Sequence, residues 1–369
     1  MNGRTFFFAG GGTGGHIYPA IAVASKISKL DPSAKIHFFC SDRDIDAKIL
    51  AKTNFQYTAL PARGLALRPD KLIKFITTFF KSTKIARGIL NQAHKPVVTG
   101  IGGFAAAPAC YVAHELKIPL ALINTDLLPG KANRIIARWA DQIFIQFEDT
   151  IIHLPKTDAK FSITGCPLRA EFANPQPEKA IKQLALDKDK NILLITGASS
   201  GARNINNCVC SLLEKLDEFA DSWQMVHLTG AVDFEQVKEK YSNTKITHKV
   251  LAYHDDMADL LSAADLLIGR SGAVSIAEYT ATETPSICMP YPYHKDQHQY
   301  YNAAKLVEVG AAIIVDDVPD AGDRAEWLWE ELQPLMNEPS LREKMKSACT
   351  EIAKKDAAKT IAKKLLAIS

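Results

Sequence analysis

Thr5-Phe6-Phe7-Phe8-Ala9-Gly10-Gly11-Gly12-Thr13-Gly14-Gly15-His16 is the stretch that decides the fold. A short apolar run turns directly into a glycine cluster and then into a segment of helical period, with Pro19 suited to a first helical turn, so a helix is expected to open near Pro19. Strand, glycine turn and helix in that order open a parallel α/β sheet. Glycines there let the backbone approach a ligand and aim amides, with the positive helix end, at phosphate. Gly10, Gly12 and Gly15 also satisfy G-x-G-x-x-G, and Asp42 or Asp44 after the next strand would then serve a ribose. A dinucleotide-dependent oxidoreductase therefore stays open at this point. His16, at the mouth of the turn, has an imidazole suited to proton abstraction near neutrality.

Outward from this unit the grammar repeats. Strands are expected at Lys35 to Cys40, Val97 to Thr99, Leu120 to Ile123 and Gln142 to Ile145. The pattern restarts at Asn191 to Thr196, Met225 to Leu228, Leu266 to Ile268, Ser286 to Met289 and Ala312 to Val315. Helical segments alternate with them, which reads as α/β with parallel sheets in two similar domains. The domains are expected at 1–165 and 179–344, with the proline-punctuated stretch 166–178 as linker. A Lys-rich helical stretch at about 345–369 is expected to pack back on the first domain. Two more glycine turns follow strands, Gly100-Ile101-Gly102-Gly103-Phe104 and Gly197-Ala198-Ser199-Ser200-Gly201-Ala202-Arg203. Three such turns spread over both domains suit phosphates on two ligands better than one cofactor.

Composition narrows the class. The chain has 369 residues, 47% of them hydrophobic and 23% charged, an ordinary globular balance rather than a disordered one. Its seven cysteines are scattered without a CxxC pair, so neither a disulfide framework nor a zinc site is indicated. No secretory or membrane-spanning segment is expected. Residues 1–165 carry 21 Lys/Arg against 11 Asp/Glu, whereas residues 166–369 carry 23 against 30. The basic half points to an anionic surface or a polyphosphate ligand, and no nucleic acid is expected.

The second half holds the most specific stretch, Gly269-Arg270-Ser271-Gly272-Ala273-Val274-Ser275-Ile276-Ala277-Glu278. It reads as a strand end, a small-residue turn and a helix. Glu278, in the second helical turn, can accept from ribose hydroxyls while the turn amides hold a diphosphate. Taken together, Gly10 to His16 with Pro19, Gly201-Ala202-Arg203, Asp255-Asp256-Met257, Arg270 to Glu278 and His294-Lys295-Asp296 resemble the MurG family of peptidoglycan glycosyltransferases. That family moves N-acetylglucosamine from UDP-GlcNAc to a polyprenyl-diphosphate-linked acceptor, undecaprenyl-diphospho-N-acetylmuramoyl-pentapeptide.

The resemblance implies a GT-B fold of two Rossmann-like domains with parallel sheets facing across a cleft, no metal or cofactor, and inversion at the anomeric carbon. It gives His16 the general-base role, with Asp126 a second candidate that also borders the donor. Thr13, Gly14 and Gly15 would lie on the site floor, and Arg169 and Ser199 at the UDP diphosphate. His254 would flank the uracil. Ala273, Val274, Ser275, Ile276, Ala277 and Glu278 would bind diphosphate and ribose, and His298, Gln299 and Asn302 would meet the sugar. Gly102, Gly103 and Phe104 would face the acceptor diphosphate. Two departures stand out: Ile123-Asn124-Thr125-Asp126 replaces a usual His-Glu-Gln-Asn run, and His298 replaces a usual Gln. A related UDP-sugar transferase with another lipid acceptor therefore stays open, as does a non-catalytic nucleotide-sugar binding subunit.

Residues 67–90 form a basic amphipathic pattern. Leu72, Ile73, Phe75, Ile76, Phe79 and Phe80 share an arc set against Lys71, Lys74, Lys81 and Lys84. Such a helix either rests on an anionic membrane through Phe75, Phe79 and Phe80 or buries its Phe face in the domain core. A peripheral place on the cytoplasmic face of the cell membrane follows from the first option.

Overall fold

The computed structural model describes residues 3–64 and 68–368. Its contacts divide the chain into two units, residues 1–169 with 354–369, and residues 170–353. In unit 1 the strands are β1 (Thr5–Gly10), β2 (Lys35–Ser41), β3 (Gln56–Leu60), β4 (Pro96–Gly102), β5 (Leu120–Asn124), β6 (Gln142–Ile145) and β7 (Lys160–Ile163). They form one parallel sheet in the order β3-β2-β1-β4-β5-β6-β7. Unit 2 carries β8 (Asn191–Thr196), β9 (Trp223–Leu228), β10 (Thr247–Leu251), β11 (Leu266–Gly269), β12 (Ser286–Cys288) and β13 (Ala312–Ile314). These are also all parallel, in the order β10-β9-β8-β11-β12-β13.

β1 reads as continuous apolar sequence because both of its faces are covered. Phe6 and Phe8 pack with Ile17, Val23 and Ile27 of the helix Gly14–Leu30 and with Ile361 and Leu365 of the helix Ala357–Ala367. Phe7 and Ala9 point the other way, to Phe39, Ala86, Leu90 and Ala109. In unit 2 Leu193, Ile195, Trp223 and Met225 do the same work against Leu328, Leu332 and Leu335.

In each sheet the strand order reverses once, between β1 and β4 and between β8 and β11. Ligands of doubly wound sheets bind at the carboxyl ends of such strands. The four turns that leave those strands are the Gly10 turn, the Gly102-Gly103 turn, the Gly197 to Ala202 turn and the Arg270 turn.

The boundaries differ from the sequence expectation. Residues 170–178 are packed into unit 2 rather than slack between domains: Phe172 is buried and the Gln176 amide donates to Asp259 Oδ1 at 2.8 Å. The helical stretch after 338 is two helices. Pro339–Ile352 belongs to unit 2, and only Ala357–Ala367 returns to unit 1, where Arg4 Nη1 donates to the Leu366 carbonyl at 3.1 Å.

Candidate functional site

The first helix of unit 1 begins at Gly14, not near Pro19. Pro19 sits inside it, in the second turn, and lacks the N–H that would reach the Gly15 carbonyl. His16 is therefore a first-turn residue. Its amide donates to the Thr13 carbonyl at 3.2 Å, and its Nδ1 lies 3.2 Å from Thr13 Oγ1. Gly102 and Gly103 close against this turn with φ of +98° and +77°, a backbone that L side chains rarely adopt. A Cβ on Gly103 would sit 2.3 Å from the Gly11 carbonyl oxygen, and one on Gly102 would sit 3.0 Å from His16 Nε2 and 3.2 Å from Asn133 Oδ1. His16, Gly102 and Asn133 are thus brought together.

The amides of the first glycine turn are not all turned to a ligand. Gly12 N–H donates to the buried Asp46 carboxylate, 2.9 Å from each oxygen, and Asp46 also accepts from Ser41 N at 2.9 Å and Ser41 Oγ at 2.5 Å. Arg43 Nη1 donates to the Gly12 carbonyl at 3.1 Å, and its guanidinium lies 5.1 Å from the Phe104 ring centre. Neither Asp46 nor Arg43 was expected from the sequence. The only available signal was an acid placed on the apolar side of the helix Asp44–Leu50. Asp42, the ribose candidate of the dinucleotide reading, is instead clasped by Arg63 at 2.6 and 2.7 Å, which holds its carboxyl below the usual carboxylate range.

At the end of β5, Asn124 is buried. Its Nδ2 donates to the Asp126 carbonyl at 2.6 Å, and its Oδ1 accepts from Asn133 Nδ2 at 2.8 Å. Asn133 Oδ1 is buried with no hydrogen-bond partner. Ile123 is buried as well, so the departure from the family run leaves Thr125 and Asp126, both half-buried, as its accessible members. Arg169 belongs to unit 1, its guanidinium 4.8 Å from the Tyr18 ring centre.

In unit 2, Gly272 precedes the helix Ala273–Ala281, whose first amides have no intrahelical acceptor. Val274, Ser275 and Glu278 share its half-exposed face. The side chains of Ala273, Ile276 and Ala277 are buried, so the expected role of those three is limited to backbone. Arg270 holds the turn from behind. Buried itself, it pairs with Asp317 at 2.8 Å and donates through Nη1 to the carbonyls of Met289 at 2.8 Å and Pro290 at 3.1 Å.

The Asn302 side chain, expected at the sugar, is buried, and its Nδ2 donates to the Ser271 carbonyl at 3.4 Å, so it also supports the turn. Gln299 carries the same turn through its carbonyl, which accepts from Ser271 Oγ at 2.9 Å, while its Oε1 accepts from Tyr291 N–H at 3.0 Å. His298 Nδ1 lies 2.8 Å from Asp296 Oδ1. His254 keeps a buried Nε2 with no hydrogen-bond partner. Ser199 lies in the 3-10 turn Ala198–Ser200, and its side chain lies outside the described residues.

The amphipathic pattern becomes the helix Pro69–Leu90, and Leu67 lies outside the described residues. Its buried residues, Ser82, Thr83, Ala86 and Leu90, all fall in the second half. In the first half the Phe trio is split. Phe75 and Phe79 are half-buried, Phe79 with its ring centre 5.9 Å from that of Tyr111, whereas Phe80 is 66% exposed. Ile73 and Ile76, seven and four residues before Phe80 in helical spacing, complete the exposed apolar face at 63% and 44%. No helix among the described residues is long and apolar enough to cross a membrane.

Comparison with known proteins matches residues 6–145 to the glycosyltransferase family 28 N-terminal domain and residues 192–363 to the family's C-terminal domain. A UDP-N-acetylglucosamine--N-acetylmuramyl-(pentapeptide) pyrophosphoryl-undecaprenol N-acetylglucosamine transferase of Halalkalibacterium halodurans is 34% identical, with 96% of each chain covered. The protein of that name from Geobacter sulfurreducens is 33% identical over 97% of each. Among solved structures, MurG of Acinetobacter baumannii superposes with a TM-score of 0.73 at 22% identity, covering 99% of this chain and 100% of that one. A UDP-GlcNAc 2-epimerase of Neisseria meningitidis follows at 0.70 and 15%, with the same coverage. These superpositions bear on the fold alone.

Proposed function

The chain belongs to glycosyltransferase family 28, and on that premise we propose that it transfers N-acetylglucosamine from UDP-GlcNAc to undecaprenyl-diphospho-N-acetylmuramoyl-pentapeptide (lipid I), inverting the anomeric carbon and forming lipid II. The near full-length likeness to relatives named for that transfer supports the substrate pair, and it removes the oxidoreductase alternative. The observation that carries the chemistry is the convergence of His16 with the paired glycines Gly102 and Gly103 at the carboxyl ends of β1 and β4.

Displacing UDP needs a base for the attacking hydroxyl and a sink for charge growing on the leaving diphosphate. His16 takes the proton. Its Nδ1 faces Thr13 Oγ1, and its Nε2 lies beside Gly102. Asp126 is the second candidate. Gly103 and Phe104 border the acceptor diphosphate, with Arg43 on Phe104 adding positive charge. On the donor side, the first amides of the helix Ala273–Ala281 and Arg169 stabilise the leaving group, Ser275 and Glu278 hold diphosphate and ribose, and His254 meets the uracil through its unpartnered Nε2. His298 and Gln299 border the sugar, and Asn302 acts behind them.

The exposed Ile73, Ile76 and Phe80, flanked by Lys71, Lys74, Lys81 and Lys84, rest on anionic lipid, because the acceptor's polyprenyl tail stays in the bilayer. This places the protein peripherally on the cytoplasmic face of the membrane. The test is release of UDP by the full chain from UDP-GlcNAc in the presence of lipid I carried in anionic vesicles. Release that needs lipid I and yields a disaccharide-bearing product supports the reading, and failure with lipid I but turnover with another lipid acceptor replaces it.

A further inference from the structure

The loop that leads into the helix His298–Val307 gathers three side chains of kinds that can ligate a metal, one of which, His298, the proposed function also sets beside the donor sugar. Among the described residues, His294, Asp296 and His298 form a group in which one ligand atom from each lies within 4.8 Å of the other two. Local backbone brings this about. The Gln297 amide donates to the His294 carbonyl at 3.0 Å, closing a turn, and Gln297 itself takes a left-handed conformation at φ +48° that sets Asp296 and His298 on one side. The imidazoles of His294 and His298 stand edge to face with ring centres 4.4 Å apart. His298 Nδ1 already meets Asp296 Oδ1 at 2.8 Å.

We propose that His294, Asp296 and His298 form a chelating site for a divalent transition metal of the zinc class. Two imidazoles and a carboxylate are a borderline-soft donor set that zinc favours, with a remaining position open to water. Tetrahedral zinc, with bonds of about 2.0–2.2 Å to N and O, needs ligand atoms about 3.3 Å apart. The three donors are close to that spacing, and side-chain torsions of surface residues supply the remaining ångström or so. The metal takes the place of the hydrogen bond between Asp296 and His298. His294 and Asp296 are exposed and His298 is 21% exposed, so an ion reaches the site from solvent.

The third ligand is His298, the residue that stands where the resemblance leads one to expect Gln. The site is thus a property of this chain's departure rather than of the shared motif His294-Lys295-Asp296. Thiols compete poorly, since burial pushes Cys40, Cys208, Cys288 and Cys349 up to about 12 and Cys210 up to about 11. A consequence rests on the donor-sugar role proposed for this loop: with zinc bound, His298 is held by the metal, and UDP-GlcNAc binds several-fold more weakly.

Zinc titration of the full chain by calorimetry, with Co²⁺ as an absorbing stand-in, tests the site without reference to donor binding. The expected result is one ion per chain and a weak visible Co²⁺ spectrum with no intense thiolate charge-transfer band. His294→Asn, Asp296→Asn and His298→Gln should each weaken binding by about 10- to 100-fold or more, since even outer-sphere partners of a metal-bound imidazole are worth that much. Circular dichroism shows that each variant is folded. Zinc binding of equal strength in all three folded variants, or a thiolate band, overturns the site. If the site binds zinc as expected, UDP affinity measured alongside UDP-GlcNAc affinity separates the two readings. Donor affinity unchanged by zinc overturns the coupling, and a chain that binds neither nucleotide points to failure of the donor reading instead.

Discussion

The switch-point turns of the two units are held from behind by charges of opposite sign. In unit 1 the buried carboxylate of Asp46 accepts from Gly12 and Ser41, taking amides that would otherwise be offered to a ligand. In unit 2 the buried guanidinium of Arg270 donates to the carbonyls of Met289 and Pro290, leaving the first amides of the next helix open. The same strand-turn-helix grammar therefore gives two different surfaces. The first turn offers a side chain, His16, set by a glycine scaffold, and the second offers backbone N–H groups with Ser275 and Glu278 beside them. The proposed function accordingly takes its base from the first and its diphosphate contacts from the second.

The sharpest way to break that contrast is at His16. His16→Ala is expected to lower kcat by roughly 10² to 10⁴, the range for loss of a general base, with UDP affinity retained because His16 is not among the groups assigned to the nucleotide. Asp126→Ala should act mainly on substrate affinity. Steady-state kinetics and UDP calorimetry on both variants decide the matter. Turnover abolished by Asp126→Ala but largely kept by His16→Ala reverses the two roles.

The supports themselves come next. Asp46→Ala strands three buried donors that now point at a carboxylate, and hydrogen bonds to charged groups are worth about 1.5–3 kcal/mol each, so a loss of about 3 kcal/mol or more is expected. Asp46→Asn should recover little, because its NH₂ group meets N–H donors. Arg270→Leu should cost less, since Asp317 keeps Arg324 at 2.8 Å and accepts from Asn204 Nδ2 at 2.8 Å. Denaturant midpoints of the three variants rank them, and an Arg270 variant more damaging than Asp46→Ala would invert the comparison.

Much of this was legible in the sequence. The interior strands announce themselves as β-branched and aromatic runs because both of their faces are buried, as in β1 and β8. β3, β7 and β10 were missed. Each is an outermost strand that is exposed or half-buried over most of its length, so Gln56–Leu60, Lys160–Ile163 and Thr247–Leu251 carry too few apolar residues to stand out. Within the site, the residues beside a glycine turn could be named from their place after a strand, as His16 and Glu278 were. Asp46, Arg43 and the supporting role of Asn302 could not, because each depends on which way a side chain faces once strands from distant parts of the chain are paired. The unequal exposure of the Phe trio was out of reach for a related reason. Periodicity defines an arc of the helix Pro69–Leu90, but only packing against Tyr111 decides which edge of that arc is covered.

The smallest effect expected is at Glu278, and it bears on the other side of the contrast. Glu278 lies in the second turn of the helix Ala273–Ala281, on the same half-exposed face as Val274 and Ser275, so its carboxylate reaches a ligand seated at the helix start. A ribose there offers two hydroxyl donors, and a charged acceptor contributes about 1.5–3 kcal/mol per bond as an upper range. Solvent competes at a half-exposed group, which puts the realised loss near that of a single bond. Glu278→Ala should therefore weaken UDP by about 10- to 100-fold, while Glu278→Gln, which keeps an acceptor oxygen without the charge, should lose less. The ribose is the discriminating partner: 2′-deoxy-UDP should bind the native chain more weakly than UDP but show little further loss in Glu278→Ala. Calorimetry of both nucleotides against both proteins completes the cycle. Equal discrimination by the native and Ala chains would remove Glu278 from the ribose and leave the second turn with its backbone amides alone.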